Sequence, residues 1–512
     1  MNISARPVHH FFSVLTLLAA TLQASMPARA QQPDAPKCRY AKLATLQVSF
    51  AGETLGPVIT GEINGLPAQM LINTGSADIY LTRTAIERHK LTRWSSNMLF
   101  STLDSKSHGY RARVRQFKAA LASTKNVEFD ILPDFGSPPL YEAMLGTSFL
   151  FQTDVEMSLA TKEIRFFQPS NCGNRSLAYW DPDAIELPFL QGGPDKELPA
   201  FMLLVNGKKV KTVIVSGAPV TVLMRPAAQR LGLKLVEPDG LRLRDRASTD
   251  RGEIDMWSTT LDSLQLGGEN IQNVEVGVVD SSFGDVDLIL GADFLRTHRV
   301  LFAMSQLKLY VSYVSGDELG LRRGISPWLQ QEADNGNGDA LMMLASIHAL
   351  GNGVPQNQAK ADALVERAAS AGHPRAMVFR GASLAKQGRN VEAISLLRQG
   401  LDGAPGERTG ALWLYVARMR MGQAELARRE LENLVVREKG DWPAPIAAYY
   451  LGKLTEEQLL TQARADGKRA AQQTCLARTH IAEQYAIAGD PARAEVLRAE
   501  VEGCSSQKAH QT

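Results

Sequence analysis

Excess charge of one sign is what this 512-residue chain lacks most. It carries 56 Lys and Arg against 54 Asp and Glu, a formal net charge of +2. Nucleic acid as the main partner needs a concentrated basic face, and this balance does not supply one. Both excess charges, Arg6 and Arg29, sit within residues 1–30, which hold no acid and no lysine. Without that segment the chain has no net charge. Long apolar runs are missing too. No stretch of 18 or more apolar residues occurs, so no membrane span is expected in the mature chain. Cysteine is scarce, at four residues, with no C-x-x-C and no clustered histidines, which argues against a zinc site. There is no Gly-rich phosphate loop and no Ser-His-Asp order, so neither a metal nor a cofactor is expected. With 44% hydrophobic and 21% charged residues, the chain is also neither collagenous nor disordered. At about 150 residues per domain it should hold two to four folded units.

The first thirty residues read as an address. Phe11 to Leu22 is a short apolar run behind Arg6, and Ala28-Arg29-Ala30 offers small residues three and one before a cut. That is the layout of a secretory signal peptide over 1–30, cleaved after Ala30. No cysteine follows at once to carry a lipid. The expected destination is a bacterial periplasm or the outside of the cell. An oxidising compartment suits the cysteines. Of three possible connectivities, the local pairs Cys38–Cys172 and Cys475–Cys504 are expected as structural disulfides, each closing its own module.

Two later stretches share one pattern. Residues 58–91 read VITGEINGLPAQMLINTGSADIYLTRTAIERHKL, and residues 201–233 read FMLLVNGKKVKTVIVSGAPVTVLMRPAAQRLGL. Each has a strand, an Asn-Gly turn (Asn64-Gly65, Asn206-Gly207) and a second apolar strand, a strong hairpin signal. Each second strand runs into a small-residue turn, Thr74-Gly75-Ser76 or Ser216-Gly217-Ala218, followed by a short helix. A later Leu-Gly comes in each half, at Leu145-Gly146 and Leu290-Gly291. Each half closes with a hairpin, VEMSLATKEIRFF and VLFAMSQLKLYV. The offset is 142 residues from Gly75 to Gly217 and 145 from Gly146 to Gly291. A repeat of that length implies two homologous lobes.

This order of strand, D-T/S-G-like turn, flap hairpin, and apolar-apolar-Gly before a short helix resembles the retropepsin-like aspartic proteases. Two units in one chain resemble the bilobal, pepsin-like arrangement. Leu288 to Leu295 with His298-Arg299-Val300 is similar to bacterial members. The resemblance spans about 45–315 and implies two tandem all-β barrel lobes, at 38–175 and 185–315. It implies that Thr74 and Ser216 hold the paired loops by hydroxyl-to-backbone bonds, with Gly75 and Gly217 allowing close approach. It also implies an Asp directly before each T/S-G, the two sharing a proton across a short gap. Those positions hold Asn73 and Val215. An amide is no base near neutral pH, and Val215 has no polar side-chain atom. Asp78 and Asp293 are the nearest carboxylates that could substitute, but neither is expected at a turn apex; Asp293 is expected to cap a helix. The flaps are expected at Asn97 to Phe117 and Arg244 to Thr259, where an extended peptide would bind strand-fashion. His298, in an apolar setting, is expected to be structural.

After Pro327 the period changes to 3.6 and the composition turns rich in Ala, Leu and Arg. Ala333-Asp334-Asn335-Gly336 before Ala340 recurs as Ala369-Ser370-Ala371-Gly372 before Ala376, a period of 36. This resembles Sel-like repeats, relatives of tetratricopeptide repeats, and implies an all-α solenoid of five or more helical hairpins over 325–504. Taken together, the expected function is an exported pseudo-aspartic protease that holds polypeptide in an inter-lobe cleft, with a helical scaffold for protein partners. The alternatives are an active periplasmic aspartic endopeptidase, or an assembly scaffold acting through the repeats alone.

Overall fold

A computed structural model describes residues 37–101, 106–120, 122–132, 139–190, 198–236, 256–280, 283–316, 319–321, 324–435, 442–465 and 470–506. The expected signal peptide lies outside the described residues, as does most of the second expected flap. The chain is β-rich up to Tyr313 and helical from Pro327.

The two Asn-Gly signals form the turns their chemistry dictates. Asn64 and Gly65 have φ of 53° and 83°, and Asn206 and Gly207 have 48° and 75°. Both residues of each turn therefore sit in the left-handed region that a two-residue hairpin of matching twist requires. They join Gly56–Ile63 to Leu66–Ile72, and Phe201–Val205 to Lys208–Ile214. Each asparagine then locks its turn onto a longer strand. Asn64 Oδ1 accepts from the Arg115 and Gln116 amides at 2.9 and 3.1 Å, and Asn206 Oδ1 accepts from the Ser263 amide at 3.0 Å.

Around these hairpins the first half builds an eight-stranded sheet and the second a closed six-stranded barrel. In each, the strand entering the small-residue turn pairs in parallel with the short strand ending at the Leu-Gly. Ile72 lies opposite Leu145, and Ile214 opposite Leu290. The closing hairpins do not stay with their own halves. Asp154–Ser158 and Glu163–Ser170 join His298–Ala303 and Lys308–Tyr313 in a third sheet, where Val155 pairs with Phe302 and Met157 with Val300. Arg39–Gln47 and Ile185–Pro188 form its two edges. This shared sheet welds the halves together, which a reading as two tandem barrels does not anticipate.

Cys38 and Cys172 are disulfide-bonded across a sequence separation of 134, tying the strand Arg39–Gln47 to the end of Glu163–Ser170. Cys475 is also in a disulfide. The side chain of its expected partner, Cys504, lies outside the described residues.

Eleven described helices follow, from Pro327–Asp334 to Pro491–Ser506. The 36-residue recurrence is visible in the caps. Asn337 and His373 each cap a helix, their side chains accepting from the amides of Ala340 and Ala376. His373 Nδ1 is the acceptor, and its other ring nitrogen lies 3.1 Å from Asp339 Oδ1. The array is not a separate body. One apolar core runs from both lobes into its first helices, as far as Ala376, and a second fills the later helices from Val378 onward. Trp328 is the wedge at the joint. It meets Phe50 of the first lobe edge-on at 5.0 Å and lies under the Arg296 guanidinium of the second at 3.6 Å. Asn337 Nδ2 donates to the Phe50 carbonyl, and Arg375 pairs with Glu53 at 3.0 Å.

Candidate functional site: the paired turns between the lobes

The parallel strands place the two small-residue turns face to face, and the backbone repeats almost bond for bond. The Asn73 amide donates to the Leu145 carbonyl at 3.0 Å, and the Val215 amide to the Leu290 carbonyl at 2.9 Å. The Thr147 amide donates to Ser76, and the Ala292 amide to Ala218, both at 2.7 Å. A Cβ on Gly146 or Gly291 would lie within 2.6 Å of the backbone of these turns, so the Leu-Gly landmark is a contact only glycine allows.

The turns hold each other through two hydroxyls. Thr74 Oγ1 donates to the Ile214 carbonyl at 2.6 Å and accepts from the Ser216 amide at 3.0 Å. Ser216 Oγ donates to the Ile72 carbonyl at 2.7 Å and accepts from the Thr74 amide at 3.1 Å. Thr74 is 2% exposed and Ser216 fully buried, so all four bonds are shielded from water. The neighbouring positions exchange places about the same pseudo-twofold axis. A Cβ on Gly75 would lie 2.5 Å from a Val215 methyl, and one on Gly217 2.8 Å from the Asn73 carboxamide.

The side chains at the two apex positions are an amide and a valine. Asn73 Oδ1 accepts from the Gly75 amide at 3.0 Å, and Nδ2 points to Met144 Sδ at 3.1 Å. Both ends of the amide are thus committed. Val215 presents only methyl groups and is 8% exposed. Among the described residues, neither of the carboxylates nearest in sequence takes their place. Asp78 is exposed on the loop beyond Ser76. Asp293 is 1% exposed and faces away, accepting from Thr221 N and Oγ1, Phe294 N and Gly320 N, each at 2.9 Å. Burial pushes the Asp293 carboxyl above its ordinary range against the pull of those donors. The cap of its helix is Gly291, with no side-chain bond. Asp293 therefore does not cap the helix as expected; it fastens Thr221, at the start of the strand after the second turn, to Gly320, on the segment leading into the helical array.

In the first half, Arg93–Ser101 and Lys106–Ala119 form the hairpin over the expected flap region. Arg93 lies 4.6 Å from the ring centre of Tyr110, which is 41% exposed. His298 is buried, stacked on Phe294 at 4.1 Å, with its Nε2 3.2 Å from Glu269. Sequence reasoning did not anticipate the Met144 contact or the fourfold bonding of Asp293. Met144 and Thr221 are each some 70 residues from the group they meet and Gly320 is 27 away, with no local pattern to mark them. Among the described residues no cluster of metal-ligating side chains occurs.

Residues 59–149 match the family model described as aspartyl protease, and residues 202–297 match that of the gag-polyprotein aspartyl protease. Each half of the β-rich region therefore carries an aspartyl protease-like, retropepsin-like segment. Solved structures with some similarity include the aspartic proteinase of Irpex lacteus, at 14% identity over 53% of this chain and 98% of that one, with a TM-score of 0.32. Conglutin gamma, a basic 7S globulin from lupine seeds, has 13% identity over 55% of this chain and 96% of that one, with a TM-score of 0.31. No curated protein matches the chain.

Proposed function

We propose that this protein is an exported pseudo-aspartic protease: a bilobal cleft that holds an extended polypeptide without cutting it. Asn73 and Val215 occupy the two degenerate dyad positions. One observation carries the reading. The turns that present a carboxylate pair in this family are kept, down to four reciprocal hydroxyl bonds, while the side chains at the apex are an engaged amide and a methyl pair. A general base lost from each half removes the means to activate water, and each such loss costs orders of magnitude in rate. Export is supported by the leader-like segment 1–30 and by the Cys38–Cys172 disulfide. The helical array is read as Sel-like or tetratricopeptide repeats offering a scaffold for a protein partner, supported by the caps recurring after 36 residues. No described helix is long and apolar enough to cross a membrane.

The test uses the chain from residue 31 and an unfolded, labelled protein between pH 3 and 7, with and without a pepstatin-type inhibitor. The expected result is saturable binding with no cleavage. Inhibitor-sensitive cleavage would overturn the reading in favour of an active endopeptidase. Absence of binding would leave only the scaffold role. Asn73→Asp and Val215→Asp introduced together are expected to give detectable, inhibitor-sensitive cleavage, and either alone none.

A further inference from the structure

The helical array is built in two parts, and the seam between them runs through one turn of one helix. In Pro374–Lys386, Ala376 belongs to the core shared with the lobes and Val378 to the core of the later helices. Pro374 brings no amide hydrogen to the first turn, and the Met377 amide donates to the His373 carbonyl. The Ala376 amide depends on the His373 side chain. Ala376 is fully buried, so this amide has no water to fall back on. The helix start at the seam is thus held by a histidine cap, where the preceding repeat uses Asn337 for the same bond to Ala340.

The geometry fixes where the protons of the ring are. A backbone N–H can only donate, so His373 Nδ1, 3.2 Å from the Ala376 nitrogen, carries no proton. The one proton of the neutral ring is then on Nε2 and donates to Asp339 Oδ1 at 3.1 Å. A second proton has only Nδ1 to occupy, where it would face the Ala376 N–H donor to donor. The ring has little room to turn: a Cβ on Gly338 would lie 2.7 Å from it, and His373 is 8% exposed. The charged groups beside it are Asp339 of Gly338–Leu350 and Arg375 of its own helix. Arg375 is itself paired with Glu53 of the first lobe and with Glu407 ahead of Arg408–Arg420. Of the other two helices packed here, Gln358–Ser370 has Arg367 on the Ala333 carbonyl, and Asn390–Gly403 has Asp402 exposed. Burial works against the Asp339 charge, but the hydrogen bond from His373 and its charge hold that carboxyl below its ordinary range. Asp339 therefore draws a proton to the ring, and the cap does not survive its arrival.

We propose that His373 is a proton-operated catch at this seam: on taking up its second proton at Nδ1, the ring releases the Ala376 amide and frees the first turn of Pro374–Lys386. The device lies in the array and does not depend on what the cleft holds. The test measures amide hydrogen exchange of the full chain, expressed as protection factors, at about pH 8 and about pH 5. Protection at Ala376 should fall about fivefold on acidification, the effect of one lost cap, while Ala340 under its Asn337 cap keeps its value. His373→Asn supplies the cap of the preceding repeat and should keep Ala376 protected at both pH values. Nitrogen NMR of histidine-labelled protein should show one ring, absent in His373→Asn, that is bare at Nδ1 at the higher pH and protonated on both nitrogens at the lower. The proposal is overturned if Ala376 keeps its protection at the lower pH, if Ala340 loses as much, or if folded His373→Asn loses protection like the parent. Should His373→Asn fail to fold, the comparison of Ala376 with Ala340 in the parent decides.

Discussion

Replacing Thr74 by valine keeps the branched shape and deletes one hydroxyl. That hydroxyl serves two backbone groups of the opposite turn, the Ile214 carbonyl and the Ser216 amide, at 2.6 and 3.0 Å. Neither has water to turn to, because Thr74 and Ser216 are 2% and 0% exposed. A buried group left unpaired costs about 1–3 kcal/mol, so two orphans set the loss at roughly 2–6 kcal/mol before relaxation, with about 3 kcal/mol expected. Ser216→Ala orphans the other two groups, the Ile72 carbonyl and the Thr74 amide, and should cost about as much. The double variant should lose less than the sum, by about 1 kcal/mol, because turns already parted by the first change have less to lose from the second. Thr74→Ser keeps the hydroxyl and should stay near the parent. Urea unfolding followed by tryptophan fluorescence gives the free energies. Amide exchange of residues 72–76 and 214–218 shows where they act. A Thr74→Val protein that loses less than about 0.5 kcal/mol, with exchange unchanged on the opposite turn, would refute the claim that these hydroxyls hold the lobes together.

Three further outcomes are expected. Gly75→Ala places a methyl 2.5 Å from Val215 and should destabilise by about 1–3 kcal/mol, and adding Val215→Ala should restore much of it, measured as a double-mutant cycle. His480 is buried as the neutral ring, with Tyr450 Oη 2.8 Å from its Nδ1, and desolvation holds its pKa down to about 3 from an ordinary 6.5. The unfolded chain therefore takes up a proton near pH 6.5 that the folded array refuses, so this contribution is intact above that pH and lost as pH falls. Thermal unfolding of the array should show a decline of up to about 1.4 kcal/mol per pH unit below pH 6, flattened in His480→Asn. Trp328→Ala removes the wedge between both lobes and the first helices, and should separate the unfolding of lobes and helices into two calorimetric transitions where the parent shows closer coupling.

Much of the site was legible because its signals are local. Asn64-Gly65 and Asn206-Gly207 are among the few dipeptides that accept positive φ at both turn positions, so their conformation follows from their own chemistry. The two small-residue turns and the two Leu-Gly steps are equally local, and their spacing announced a duplicated unit. The pairing of Val155 and Met157 with Phe302 and Val300 was not legible. Those strands are some 145 residues apart, and an apolar strand carries no mark of which distant strand it will meet. The surroundings of Arg299 were hidden for the same reason. Glu156, Ser158 and Trp180 come from different stretches and share a face only once the sheet has formed. The side chain of Asp293 was legible as belonging to a helix start, but not the Thr221 and Gly320 groups that converge on it.

The sequence by itself determined the duplicated lobes, the turns at their centres, the absence of a carboxylate before each turn and the change to helices after Pro327. These depend on residue type and short spacing, and backbone sterics fix them within a few residues. Only the tertiary structure decided that the closing hairpins leave their own halves for a shared sheet, and that Thr74 and Ser216 each serve two groups on the other turn. It also decided that the helices share a core with the lobes through Trp328, and that Arg299 comes to lie beside Glu156 and the Trp180 ring. Each of these depends on which surfaces meet across more than a hundred residues, and that is set by the burial of apolar area over the whole molecule rather than by any segment of it.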